Sequence, residues 1–562
     1  MIKKLMLLTC CLFVSMSAFS QTAVFNPEWP ETYVQVTVNE AQLQDLSLHY
    51  SVDKVVHHGD GTFDVRLCVG RNEYKAFAAT GIPFTIMSSE KPQVSMASSY
   101  AQLTQSWNRY PTYSTYLATM DTFQSQFPQL CEIDTILAQT LGGHKILVAH
   151  ISSSLQDRGT RPAVFYTSTI HGDEPVGYYL MLRLIHYLLH NYATDARVQQ
   201  MVDSLDIWIC PIENPDGTYH TSNSQLNSSP YSTRANYNGI DLNRSYPLAG
   251  AATALRDLEP EVQAMISFGH AHPFVLSANM HGGAEVFNYP WDTWTSYQRP
   301  HADDAWWYHV GRKFADTCHL YSSNYMTEEN NGVTEGGDWY VITGSRQDYY
   351  NYYLQCREVT IEVSDNKVAQ SNYLPYYWNY IYHSYLNFLR EAQHGFRGVV
   401  TDSITGAPLE ATVVVESHDD NVSFVSSHLP EGDYQRPIKG GTWQVTYSST
   451  GYYPKTLTLT AVDGQTTWQN VQLVPIGYGV EDVEKPLVEV FPNPTAGELH
   501  VRIPAEMSDV VMTLYDAAGR CLGHRVVSQP EEVIPMQGLP SGVYLLRLVE
   551  NGKTIFQQKI LR

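Results

Sequence analysis

The chain has 562 residues, which at roughly 150 residues per domain allows three to four domains and at least one large core. Hydrophobic residues make up 43% and charged residues 16%, a globular composition that excludes a coiled coil or a disordered chain. With 35 Lys and Arg against 57 Asp and Glu, the formal net charge of −22 disfavours nucleic acid and anionic membrane as partners.

Residues 1–20 read as a signal peptide. Lys3 and Lys4 precede an apolar stretch over 5–19, and Ala18, Phe19 and Ser20 offer a small-x-small cleavage site before Gln21. That stretch is too short to span a membrane, and no other run approaches the roughly 18 apolar residues a span needs. Of eight cysteines, Cys10 and Cys11 fall within it; the remaining six are scattered without C-x-x-C spacing. They suggest one or two bridges at most and no thiolate zinc site.

Segment 21–97 has β-like runs at 33–38 and 62–67 and reads as a small β module with no assigned role. Over 98–394, apolar runs suited to buried strands (163–170, 205–212, 274–280, 359–363) alternate with helical stretches (174–192, 259–270, 303–318, 376–392). Such alternation predicts a buried α/β sheet flanked by helices. Alternating short strands return over 395–476, punctuated by turns such as Ser403-Ile404-Thr405-Gly406, and predict a β-sandwich of about seven strands. A polar linker over 477–486 leads to a last β domain over 487–562. The expected class is α/β, with small all-β domains on both sides.

His171-Gly172-Asp173-Glu174 follows the predicted strand at 163–170 and precedes a helix that Pro175 is placed to start. A His and a Glu three apart on such a turn can face one metal ion, and His281, just past another strand, is the candidate third ligand. Two His and one Glu leave a fourth zinc position open, the catalytic arrangement. Alone, a His-x-x-Glu pair is more often a solvated helix end. The odds change with Glu213-Asn214-Pro215-Asp216-Gly217, Arg234-Ala235-Asn236, Gly239-Ile240-Asp241-Leu242-Asn243-Arg244, His281-Gly282-Gly283-Ala284 with Asn288-Tyr289-Pro290-Trp291-Asp292, Gly336-Gly337-Asp338-Trp339-Tyr340, and Glu358-Val359-Thr360-Ile361-Glu362.

Through these ordered motifs the stretch 98–394 resembles the zinc carboxypeptidase family, its carboxypeptidase E, D and N branch more than the digestive one. The resemblance implies a mixed sheet flanked by helices and one zinc ion held by His171, Glu174 and His281. It implies Asp241 as the acceptor of the His171 N–H and Glu362 as general base. Parity puts Glu358 and Glu362 on one strand face, and an edge-strand acid facing solvent would suit Glu358 better. The resemblance further implies Arg234 at the oxyanion, Asn243 and Arg244 on the substrate's terminal carboxylate, and Tyr340 closing over it. Tyr340 could also simply pack beside Trp339. In that branch an acid eleven residues after the third ligand, here Asp292, and a glutamine, here Gln347, face the substrate's last side chain, which implies Lys or Arg. A loop turn is the plainer reading of Asp292.

Residues 396–409 resemble the transthyretin-like domain of the same branch. Phe491-Pro492-Asn493-Pro494-Thr495 and Leu539-Pro540-Ser541-Gly542 resemble a type IX secretion sorting domain. Together these imply a secreted zinc metallocarboxypeptidase that crosses the periplasm of a Gram-negative bacterium to its surface or medium. Its partners would be peptide or protein C-termini and the secretion machinery, without nucleic acid or a transmembrane segment. Departures are Ser245-Tyr246 for the family's Asn-Phe, and Arg346 beside Gln347, a cation placed to neutralise Asp292. The alternatives are a carboxypeptidase of neutral or cell-wall peptide specificity, and an inactive surface-binding homologue.

Overall fold

The computed structural model describes residues 25–87, 92, 94–226, 232–251, 258–476, 488–504, 507 and 509–562. The expected signal peptide over 1–20 and linker over 477–486 lie outside them.

The N-terminal segment is not all-β. Strand Glu31–Asn39 runs into helix Glu40–His49, then strands Ser51–His57 and Thr62–Gly70, helix Tyr74–Ala79 and strand Phe84–Ile86. A helix follows the first strand because Asn39 and Gln42 close a capping box, each side chain accepting the other's backbone N–H. Leu43 and Leu46 then seal that helix onto a four-stranded antiparallel sheet.

The large central sheet has eight strands in the order Val333–Glu335, Ala284–Tyr289, Arg357–Ser364, Phe274–His281, Ala163–Ser168, Asp206–Cys210, Ile146–Ile151 and Cys131–Leu137. The strands from Arg357–Ser364 to Asp206–Cys210 are parallel, and antiparallel neighbours flank them on both sides. Ala163–Ser168 and Phe274–His281 are buried at every position, as parallel strands covered on both faces must be. Val164 and Tyr166 face one apolar cluster with helices Val176–Asn191, Asp304–His319 and Leu374–Glu391. Phe165 faces another with Pro260–Ala271 and Arg346–Tyr353. The eight strands and helices read from periodicity over this stretch all occur, with ends displaced by a residue or two.

Because the central strands are parallel, their C-terminal ends share one edge, where α/β sheets place ligands. The register pairs His281 with Glu362, and Met280 with Ser168 three residues before His171. Among the described residues eight short strands follow between Gly395 and Leu473, and seven between Glu489 and Leu561. Among the described residues no helix is long and apolar enough to cross a membrane. The one or two disulfides allowed by the cysteine count do not form: Cys68, Cys131, Cys210, Cys318, Cys356 and Cys521 are all free.

Candidate active site

The turn after strand Ala163–Ser168 and the end of strand Phe274–His281 bring His171, Glu174 and His281 together, all buried, with donor atoms within 4.8 Å of one another. Glu174 Oε2 lies 3.0 Å from His171 Nδ1 and 3.1 Å from His281 Nδ1. On its other side His171 Nε2 lies 3.1 Å from Asp241 Oδ1, so that Nδ1 is the nitrogen turned to the centre. Two imidazoles and one carboxylate converging without an intervening side chain suit a zinc ion. The helix Val176–Asn191 behind them packs closely, since Gly177 leaves no room for a Cβ against Ser168 and Met280.

Glu362 lines the same cavity, and its Oε2 is buried with no hydrogen-bond partner among the described residues. Burial and the neighbouring Glu174 push its carboxyl well above the usual range, opposed by Lys367 and Arg234. Asp241 behaves in the opposite way. Burial opposes its ionisation, but Arg234, His171 and Arg244 outweigh it and hold the carboxyl well below the usual range. Arg234 donates from Nε to Asp241 Oδ2 at 3.0 Å and from Nη1 to Glu174 Oε1 at 3.1 Å. Asn243 and Arg244 sit on a short 3-10 turn that Asp241 caps, and Arg244 Nε is a buried donor with no hydrogen-bond partner among the described residues. Tyr340 lines the cavity too, its ring packed on Trp339 and on the N-terminal core.

Asp292, on the loop after strand Ala284–Tyr289, is a buried cavity wall rather than an open turn. Gln347 Nε2 donates to its Oδ1 at 3.0 Å. Arg346 does not neutralise it. That guanidinium lies 2.6 Å from Glu213 Oε1 and 3.0 Å from Glu358 Oε2, over the Tyr350 ring. The edge-strand reading of Glu358 is therefore overturned. Its strand is internal to the sheet, Glu358 is fully buried, and its Oε2 accepts from Ser277 and pairs with Arg346. A second group of metal-type donors, Asp303, His418 and Asp419, already encloses the Arg436 guanidinium.

Residues 51–54 lie across this site, a placement no motif signalled. Ser51 donates to Asp241, and Arg234 Nε reaches Ser51 Oγ at 2.6 Å. The Val52 carbonyl accepts from Arg244 Nη2 at 3.2 Å. The Asp53 carboxylate is buried between Arg234, 3.4 Å away, Lys367 and Arg66. Burial opposes its ionisation, but Lys367, Arg66 and Arg234 hold its carboxyl at about 2. Glu31 accepts the backbone N–H groups of Arg234 and Ala235, while burial and Asp173 push it up to about 7. Lys367, also unsignalled, lies 3.1 Å from Glu174.

Residues 116–383 match a family model described as zinc carboxypeptidase, 395–474 one described as carboxypeptidase regulatory-like domain, and 489–562 one described as secretion system C-terminal sorting domain. Carboxypeptidase D of Drosophila melanogaster is 32% identical over 373 residues, 62% of this chain and 26% of that protein. The chain thus spans about a quarter of the length of the carboxypeptidase D relatives it matches. Carboxypeptidase SOL1 of Arabidopsis thaliana is 30% identical over 412 residues, 72% of this chain and 76% of that protein. Among solved structures, the carboxypeptidase A from Helicoverpa armigera aligns with a TM-score of 0.48 at 16% identity, covering 64% of this chain and 96% of that one.

Proposed function

The chain belongs to the zinc carboxypeptidase family, and on that premise we propose that it is an exported metallocarboxypeptidase that releases single residues, Lys or Arg by preference, from peptide C-termini. The observation that carries the reading is the meeting of His171, Glu174 and His281 in one cavity with an unpartnered Glu362 oxygen and two guanidinium groups.

A zinc ion held by the three donors would supply a Lewis acid for the scissile carbonyl and acidify an attacking water. Asp241 fixes the His171 ring by accepting its Nε2–H. Glu362 Oε2 is the proton acceptor for the attacking water and returns that proton to the leaving amine. Arg234 places positive charge where the carbonyl oxygen becomes negative. Asn243 and Arg244 take the terminal carboxylate, with the unpartnered Arg244 Nε as one donor and Tyr340 closing over it. That contact makes the enzyme an exopeptidase, since an internal segment offers no carboxylate there. Asp292 and Gln347 receive a cationic last side chain.

Residues 51–54 occupy the groups this chemistry requires, so substrate enters only when they withdraw. In this reading the N-terminal segment keeps the site covered. The C-terminal match supports export, to the cell surface or beyond. The test is release of single amino acids from a peptide panel, set against release of fragments from cell-wall peptides. A chelator should abolish release and zinc restore it; full activity without bound metal would refute the proposal.

A further inference from the structure

The wall behind Asp292 carries a second carboxylate. Asp348 stands in the first turn of helix Arg346–Tyr353, where the Ser345 side chain caps its N–H. One Asp348 oxygen accepts the Asp292 N–H at 2.8 Å and the other the Thr293 N–H at 2.9 Å. The preceding Gln347 is oriented in turn: its Oε1 accepts the Thr360 N–H at 2.6 Å, which leaves Nε2 to face Asp292 Oδ1. Two consecutive residues of one helix therefore hold the backbone and the side chain of Asp292.

The charge balance of this corner is unusual. Asp292 and Asp348 are 2% and 1% exposed, and among the described residues neither forms an ion pair. Arg346, two residues before Asp348, is committed to Glu213 and Glu358. Arg244 is the cation whose field reaches Asp292. Burial and the charge of Asp292 push Asp348 up to about 7. Two buried carboxylates without a direct ion pair are held by N–H donors at a cost. An ammonium or guanidinium entering beside Asp292 removes that cost, and an apolar side chain leaves it in place.

We propose that Asp348 is a specificity-setting residue of this site: it pins the loop that carries Asp292 and, once a cation enters and favours its ionised form, adds negative charge behind it, so that the pocket selects a cationic side chain. The inference rests on the preference for Lys or Arg proposed above. Asp348 acts through Asp292 and is a positioning residue.

The test is kcat/KM of the full chain for matched peptides ending in Lys and in Leu. Any covering of the site by residues 51–54 scales both peptides alike and cancels in their ratio. Asp348→Asn should lower the Lys:Leu ratio about tenfold, mainly through a higher KM for the Lys peptide. Asp338→Asn, an exposed carboxylate outside the pocket, should leave the ratio unchanged. A purely structural role for Asp348 would depress both peptides together. Should the Asn variant fail to fold, Asp348→Glu decides, because it keeps the charge but moves both oxygens; a severalfold fall in the ratio supports the proposal and an unchanged ratio overturns it. A wild type without Lys preference sinks the substrate reading. A wild type with that preference, whose ratio survives Asp348→Asn, overturns this inference alone.

Discussion

Replacing Asp53 by alanine should switch the full chain on. In the covered state its carboxylate stands against Arg234, Lys367 and Arg66. Between the ordinary value of 3.8 and about 2 lies roughly 2 kcal/mol of favourable interaction. Leaving buried Arg234 and partly buried Lys367 and Arg66 without this partner raises the cost of staying covered to about 2–5 kcal/mol. The expected result is at least a tenfold rise in kcat/KM for a Lys-ended peptide. The pH dependence has two opposed parts. Asp53 is depressed in the covered state, so its contribution is present above about 3.8 and is lost as pH falls toward 2. Glu31, which faces Asp173, Lys367 and the backbone N–H groups of Arg234 and Ala235, is raised from 4.5 to about 7. Covering is therefore favoured while Glu31 is protonated and weakens by ~3 kcal/mol as pH climbs from 4.5 through 7. The two together make covering tightest near pH 4–5. The ratio of Asp53→Ala to wild-type activity isolates covering from catalysis, and it should be larger at pH 5 than at pH 8. A variant no more active than wild type from pH 5 to pH 8, at equal zinc content, would refute the reasoning.

Other consequences are independent of covering. Glu362→Gln should keep zinc, measured by elemental analysis, and lose about 10²–10⁴-fold in kcat; Glu358→Gln as the inactivating change would displace the base from Glu362. Native-state thiol labelling should modify Cys521 and spare Cys131, Cys210, Cys318 and Cys356, which are buried, with Cys131 and Cys318 pushed up to about 12 by burial. Arg436→Met should destabilise the chain by about 3–5 kcal/mol in thermal or urea unfolding, because it strands Asp303 and Asp419 in a buried network that ties strand Asp433–Arg436 to the helix Asp304–His319 region. An unchanged unfolding midpoint would show that network to be dispensable.

What is legible in the sequence follows local periodicity and short spacing. Ala163–Ser168 and Phe274–His281 read as buried strands because apolar and small residues dominate them, and burial at every position is what two-sided covering requires. His171 and Glu174 are readable as a pair because three residues on one turn suffice to aim both. The helix Glu40–His49 is not legible from β-like runs alone, since its start depends on the exchange between Asn39 and Gln42, a signal that is weak beside the strong strand before it. The place of Arg346 escapes local sequence for a different reason. A cation next to Gln347 in sequence is close to Asp292 along the chain, but successive helical residues point about 100° apart, and the guanidinium turns to Glu213 and Glu358. The contact of Asp53 with Arg234 spans some 180 residues, and no local pattern encodes it. It is nevertheless constrained by chemistry. A site built to gather a terminal carboxylate and a developing oxyanion presents buried guanidinium and ammonium groups, and such groups are costly without an anion. The side chain that covers them must therefore be acidic, and on strand Ser51–His57 the residue that fits is the lone aspartate.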